Sequence, residues 1–158
     1  RDKPMVSADY IVGLTDGEGC FYVNVRDRNS RWTPKVETHF YIKLREDNKE
    51  LLEEVNASFG CGAVYFQKEN RPNHSSCYRF EINSQRDINK VLLPFFEKHQ
   101  LHSSKKKDFE IFHQIARMVQ IGEHKTENGL LRMRNLKMQM NNWARRMQEI
   151  RTSGGNAK

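Results

Sequence analysis

Apolar and polar residues alternate with period two in four stretches of the chain, and each predicts a strand with one buried face. The stretches run from about Cys20 to Arg28, Val36 to Arg45, Ala63 to Lys68 and Ser76 to Asn83. In the first, Phe21, Val23 and Val25 alternate with Tyr22, Asn24, Arg26 and Arg28. In the second, Val36, Thr38, Phe40, Ile42 and Leu44 alternate with Glu37, His39, Tyr41 and Lys43. The segment Asn29–Lys35 reads as a hairpin connection with a basic, aromatic tip, and Glu69–Ser75 turns the second hairpin. A helix capped by Ser7 or Asp9 precedes the first strand. A second, capped by Asp47 or Asn48, carries Leu51, Leu52, Val55 and Phe59 to a stop at Gly60 and Gly62. A third runs from Ser84 or Gln85 to about Lys98, with Pro94 in a kink or break. A fourth spans about Lys106–Ile121. The last spans about Glu127–Ile150, and its stripe of Met133, Leu136, Met140, Trp143, Met147 and Ile150 suits core or dimer packing.

The predicted order is αββαββα plus C-terminal helices, which makes an α+β domain: an antiparallel four-stranded sheet with helices on one face. Residues 1–150 form a single domain, with a loose arm over residues 1–6. The Gly/Ser-rich tail 151–158 is expected to be disordered. One junction stands out. The run Tyr10-Ile-Val-Gly-Leu-Thr-Asp-Gly-Glu-Gly19 is the end of a helix that passes directly into a strand. Asp16 and Glu18 therefore sit at a helix C-terminus, where the dipole is negative and repels anions. Acids in that place imply a cation or a constraint of the fold, and a metal is the natural suspect.

Composition narrows the class. The 158 residues are 37% hydrophobic and 30% charged, with a formal net charge of +7. No apolar run reaches the roughly 18–20 residues of a membrane span, and no signal or transit peptide is visible. Cys20, Cys61 and Cys77 form no CxxC pair and are odd in number, which favours a reducing compartment and no structural zinc. His99 and His102 are three apart, but no partner at ligand spacing follows them, and no phosphate-cradling glycine loop occurs. A basic domain whose strands carry Arg, Lys, Gln and Asn is a nucleic-acid candidate.

The segment Ile11–Gly19 resembles the nonapeptide of the LAGLIDADG homing endonucleases. Gly13, Asp16 and Gly19 are identical to the name-giving pattern, Glu18 replaces its second Asp, and Gly17 stands at its Ala. The stretches 40–52 and 59–65 look like the family's second strand, second helix and third strand, and Lys105-Lys-Lys-Asp-Phe109 resembles its lysine-rich helix entry. The resemblance covers about residues 8–121. It implies the αββαββα homing-endonuclease fold with a saddle-shaped sheet, and a site-specific double-strand DNA endonuclease acting on a long pseudo-palindromic target. The single motif copy implies a homodimer joined through the motif helix, with Ile11, Val12, Gly13, Asp16 and Gly17 at the interface.

By the same resemblance Glu18 is the metal ligand, for Mg²⁺ with Mn²⁺ or Ca²⁺ as substitutes in binding, and Asp16 is structural or an outer partner. Lys105 or, second, Lys106 orients the attacking water. Late in the second strand the family often has a polar residue; here Leu44 falls at that place, a departure that removes support for a role there. Strand faces define the expected contacts with double-stranded DNA. These are Tyr22, Asn24, Arg26 and Arg28; Lys35, Glu37, His39, Tyr41 and Lys43; Tyr65 and Gln67; and Cys77, Arg79 and Glu81. Arg and Lys suit guanine, Asn and Gln adenine, Glu cytosine. Arg26 and Arg79 are expected on inner strands reading bases. Arg28, Arg31, Trp32, Lys68 and Arg71 extend the contacts along the backbone. The alternatives are an intron RNA maturase, a non-catalytic DNA-binding regulator on the same fold, and a structural dimerisation module, which leaves the polar strand faces unexplained. The expected setting is an intracellular reducing compartment, an organelle matrix (chloroplast or mitochondrion) or a prokaryotic cytoplasm, away from membranes.

Overall fold

The computed structural model describes residues 5–26 and 34–140 of the chain. The expected Arg28, Arg31, Trp32, Trp143, Met147 and Ile150, and the tail, lie outside the described residues. Helix α1 (Ala8–Glu18) begins at Ser7, whose hydroxyl accepts from the Tyr10 N–H at 3.1 Å and satisfies one of the free donors of the first turn. It ends directly in β1 (Gly19–Arg26), which pairs with β2 (Lys35–Arg45). A 3-10 turn (Glu46–Asn48) leads into α2 (Lys49–Phe59). Asn48 stands at the N-cap position of that helix without a side-chain capping bond, and Asp47 is drawn back to Arg45, whose Nε donates to it at 3.0 Å. Gly60 closes α2 at φ 70°, a left-handed conformation that glycine adopts without strain.

The strands β3 (Ala63–Gln67) and β4 (Cys77–Ile82) form the second hairpin, and the sheet order is β1-β2-β4-β3 with every pair antiparallel. The inner strands are therefore β2 and β4. This corrects the expectation for Arg26, which lies exposed at the end of edge strand β1, opposite Lys35. The region around Pro94 is continuous rather than broken. Helix α3 (Gln85–Asp87) passes into a π turn (Ile88–Leu92) and then into α4 (Leu93–Lys98), with Pro94 near the start of α4. Proline removes a backbone donor there, and the wider π turn ahead of it is a common way to absorb that fault. Helix α5 (Lys105–Gln120) and α6 (Glu127–Met138) complete the described chain. Among the described residues, no helix is long and apolar enough to cross a membrane.

The core lies between the sheet and the helices. Phe21, Phe40, Phe80, Phe96 and Phe112 are its largest fully buried side chains. Phe21 meets Phe40 at 5.1 Å and Phe112 at 5.2 Å between ring centroids, and Phe59 stacks on Phe80 at 5.6 Å. Such pairs contribute about 0.5–1.5 kcal/mol each beyond their buried area. Met133 and Met140 join this core. The period-two pattern thus puts one face of each inner strand into the interior and leaves the other lined by polar side chains.

Candidate nucleic-acid interface and catalytic site

The register fixes which side chains share the polar face, because residues directly opposite in an antiparallel pair point the same way. Cys20 stands opposite Tyr41, Tyr22 opposite His39 and Asn24 opposite Glu37. Lys43 stands opposite Arg79 and Tyr41 opposite Glu81. Tyr65 is opposite Arg79, and Gln67 opposite Cys77. The predicted strand contacts among the described residues are thereby brought onto one surface.

That surface is internally paired. Lys35 Nζ lies 2.8 Å from Glu37 Oε1, and this bond, opposed by burial and aided by Asn24, holds the Glu37 carboxyl below its ordinary range. His39 stands between Glu81, at 3.4 Å, and Glu37, at 3.7 Å. Arg79 Nη1 lies 3.6 Å from Glu81 Oε1, and its guanidinium lies over the Tyr41 ring. Lys43 is exposed with no described acid paired to it. At the hairpin tip Lys68 is exposed, while Arg71 is held by Glu69 through bonds of 3.0 and 2.7 Å. These bonds pull the Glu69 carboxyl down to about 2. Strand-based reasoning misses Lys137. It is on α6, but its Nζ stands 5.9 Å from the Tyr22 ring centroid, so the helix end borders the same face beside β1. Period-two alternation cannot flag a residue on a helix, so the sequence carries no signal for it.

The second part of the site is the junction of α1 and β1. Glu18 is exposed at the last position of α1. Gly19 permits the passage into β1, since a β-carbon there would lie 2.7 Å from Thr15 Cγ2 and 2.8 Å from the Thr15 carbonyl oxygen. Lys105, from the start of α5, reaches across: its Nζ donates to the carbonyl oxygens of Thr15 and Asp16 at 3.4 Å each. An ammonium there complements the negative end of the helix dipole. Lys106, by contrast, donates to Gln100 Oε1 at 3.2 Å, so the structure brings Lys105 and not Lys106 to the motif helix. Asp16 accepts from His102 and Ser103, and although burial works the other way, these bonds hold its carboxyl below the ordinary 3.8.

The interface expectation for α1 needs correction. Ile11 and Val12 are 1% and 6% exposed and pack in the chain's own core, so they cannot face a second copy. Asp16 is turned to the 102–103 loop. The face left open carries Tyr10, Gly13 and Gly17, and a β-carbon on either glycine would meet none of the described residues within 4 Å. Among the described residues, no group of three or more His, Cys, Asp or Glu side chains is placed to hold a metal ion. Glu18 is a hard oxygen donor of the kind Mg²⁺ takes, but one carboxylate alone makes an incomplete site.

The LAGLIDADG endonuclease family model matches residues 11–116, from the motif helix into α5. Probable intron-encoded endonuclease 2 of Neurospora crassa is 32% identical over 127 residues, which are 79% of this chain and 27% of that protein. Probable intron-encoded DNA endonuclease 1 of Mycosarcoma maydis is 28% identical over 101 residues, 64% of this chain and 34% of that one. The chain thus spans about a quarter to a third of the length of these relatives. Among solved structures, the homing endonuclease I-TnaI superposes with a TM-score of 0.75 at 35% identity, over 92% of this chain and 99% of that chain. The I-SmaMI LAGLIDADG homing endonuclease bound to cleaved DNA gives 0.77 at 28% identity, over 89% and 46%. With the motif, the strand order and the matched span in agreement, this chain belongs to the LAGLIDADG endonuclease family.

Proposed function

We propose that the chain is a site-specific, divalent-metal-dependent double-strand DNA endonuclease that works as a homodimer. The observation that carries this reading is the placement of Glu18 and Lys105 at one end of a helix, with a separate polar sheet face available for readout. The I-SmaMI structures bound to cleaved and to uncleaved DNA support DNA as the substrate class.

The donor set fits a hard cation when two copies are counted. Gly13 and Gly17 lie four apart on the open face of α1, and nothing among the described residues requires their small size. Small residues at that spacing let helix backbones approach closely, and such an approach brings two Glu18 carboxylates together. A Mg²⁺ held by Glu18 would supply charge relief on the phosphate and an activated water. Lys105 contributes a positive donor that orients water and offsets charge building on the phosphate. The sheet face holds the DNA in register by base-edge contacts, and the exposed Lys68 and Lys43 add attraction for phosphate.

Glu18→Gln tests the reading, because it keeps the shape and removes the charge. Cleavage of a selected target in Mg²⁺ falls by orders of magnitude, while binding measured by mobility shift in Ca²⁺ is retained. A variant that cuts like the parent refutes Glu18 as the metal ligand. A parent protein that binds DNA and leaves it uncut in Mg²⁺ and Mn²⁺ would be a regulator instead.

A further inference from the structure

Asp16 takes no part in the proposed chemistry, yet its carboxylate is densely bonded. Its Oδ2 accepts from the His102 N–H at 3.0 Å, and its Oδ1 from the Ser103 N–H at 3.0 Å and the Ser103 hydroxyl at 2.7 Å. The Ser103 oxygen in turn accepts from the Lys105 N–H at 3.2 Å. The bonds from Asp16 join residues 86 and 87 positions apart in the chain. A carboxylate in the last turn of a helix is opposed by the dipole. Here the donors of the 102–103 loop offset that opposition, and they tie the end of α1 to the first turn of α5.

We propose that Asp16 is a positioning residue: it clamps the 102–103 backbone to α1 and so seats Lys105 with its ammonium on the carbonyl end of the helix that carries Glu18. The proposal rests on the endonuclease reading and deepens it. A lysine ammonium rides on a flexible four-carbon stem, so its place depends on where its backbone is anchored. Lys105 begins α5 one residue beyond the clamped loop, and its own N–H is bonded into the clamp through Ser103. The ammonium contacts two acceptors at 3.4 Å, a weak hold that a small shift of the α5 start would break. The neighbouring Lys106 shows the alternative, with its Nζ engaged by Gln100 instead. Displacing a group by about 1 Å costs on the order of a hundredfold in rate.

The test is a double-mutant cycle on the full chain, read by single-turnover cleavage at saturating enzyme and by DNA affinity. Asp16→Asn places an amide N–H against a backbone N–H and breaks one arm of the clamp. The expected result is a rate loss on the order of a hundredfold, with DNA affinity retained. Ser103→Ala keeps Asp16 and its backbone donors, so it gives a smaller loss in the same direction should Asp16→Asn fold poorly. Ser103→Thr, which keeps the hydroxyl, restores the rate. In a Lys105→Met background, Asp16→Asn and Ser103→Ala have no further effect, because they act through Lys105. Equal losses with and without Lys105, or an unchanged rate in both variants, overturn the clamp while leaving the endonuclease reading intact. A wild-type chain that does not cut DNA overturns both.

Discussion

The Arg79 guanidinium lies over the Tyr41 ring, with Cζ 4.0 Å from the ring centroid, on the polar face of the two inner strands. Glu81 holds one end of the same group at 3.6 Å. An arginine braced by stacking and by a carboxylate has fewer conformations to lose when it meets a base, and its fork matches the guanine edge.

Arg79→Ala is therefore expected to cost about 1–3 kcal/mol at one base pair of the target and to relax preference there. Tyr41→Leu removes the ring and keeps the bulk, so it weakens the same base preference by a smaller amount. Cleavage profiles over all single-base variants of the target check both. Uniform weakening across every position would make Arg79 a phosphate contact.

The sheet faces are legible in the sequence because period two leaves little choice once Phe21, Phe40, Phe80 and Ile82 must be buried. The order of the strands is not. Two hairpins in sequence do not say which strand of the second joins the first, so the pattern alone allows Arg26 an inner strand when β1 is in fact an edge. Helix α1 shows the same limit. Ile11 and Val12 are as apolar as an interface requires, and only packing reveals that the core takes them and leaves Gly13 and Gly17 outside. The link from Asp16 to Ser103 has no local pattern at all. The choice of Lys105 over Lys106 does have one. Lys105 is three and four residues before the buried Asp108 and Phe109, which places it on the inward face of α5.

Thr15 stands at an apolar place of the motif, fully buried, and its hydroxyl oxygen finds no partner among the described residues. A buried polar group without a hydrogen bond destabilises the fold, and valine has the same shape without the hydroxyl. Thr15→Val is expected to stabilise the protein by about 1 kcal/mol, since the two residues have similar helix propensity. In a chain of this size that raises the thermal midpoint by about 2–4 °C. An unchanged or lower midpoint would mean that the hydroxyl is satisfied in solution.

The Asp16 clamp makes stability depend on acid. The folded pKa is lowered from 3.8, so the unfolded chain takes up its proton first as pH falls. The stabilisation is fully present above the ordinary value of 3.8 and is lost as pH falls from there through the lowered folded value. Asp16→Asn is expected to have the lower thermal midpoint at neutral pH, and the two proteins converge on acidification below that range. A difference that stays constant across the acid range would show that the charge of Asp16 is not what the 102–103 loop recognises.

Gly13 separates the needs of the single chain from those of an assembly. A β-carbon there meets none of the described residues within 4 Å, and glycine is among the weakest helix formers, so the fold alone favours replacement. Gly13→Val is expected to leave the thermal midpoint of the dilute, dissociated chain unchanged or higher, because valine is the better helix former of the two. If two α1 helices meet on this face, the branched side chain holds them apart. Association measured by sedimentation velocity then weakens, and cleavage at low protein concentration falls with it. Raising the protein concentration restores part of the activity, which an effect on the fold would not allow. A variant that dimerises as tightly as the parent would place the dimer contact on another face of the chain, and close helix approach would no longer account for glycine at this position.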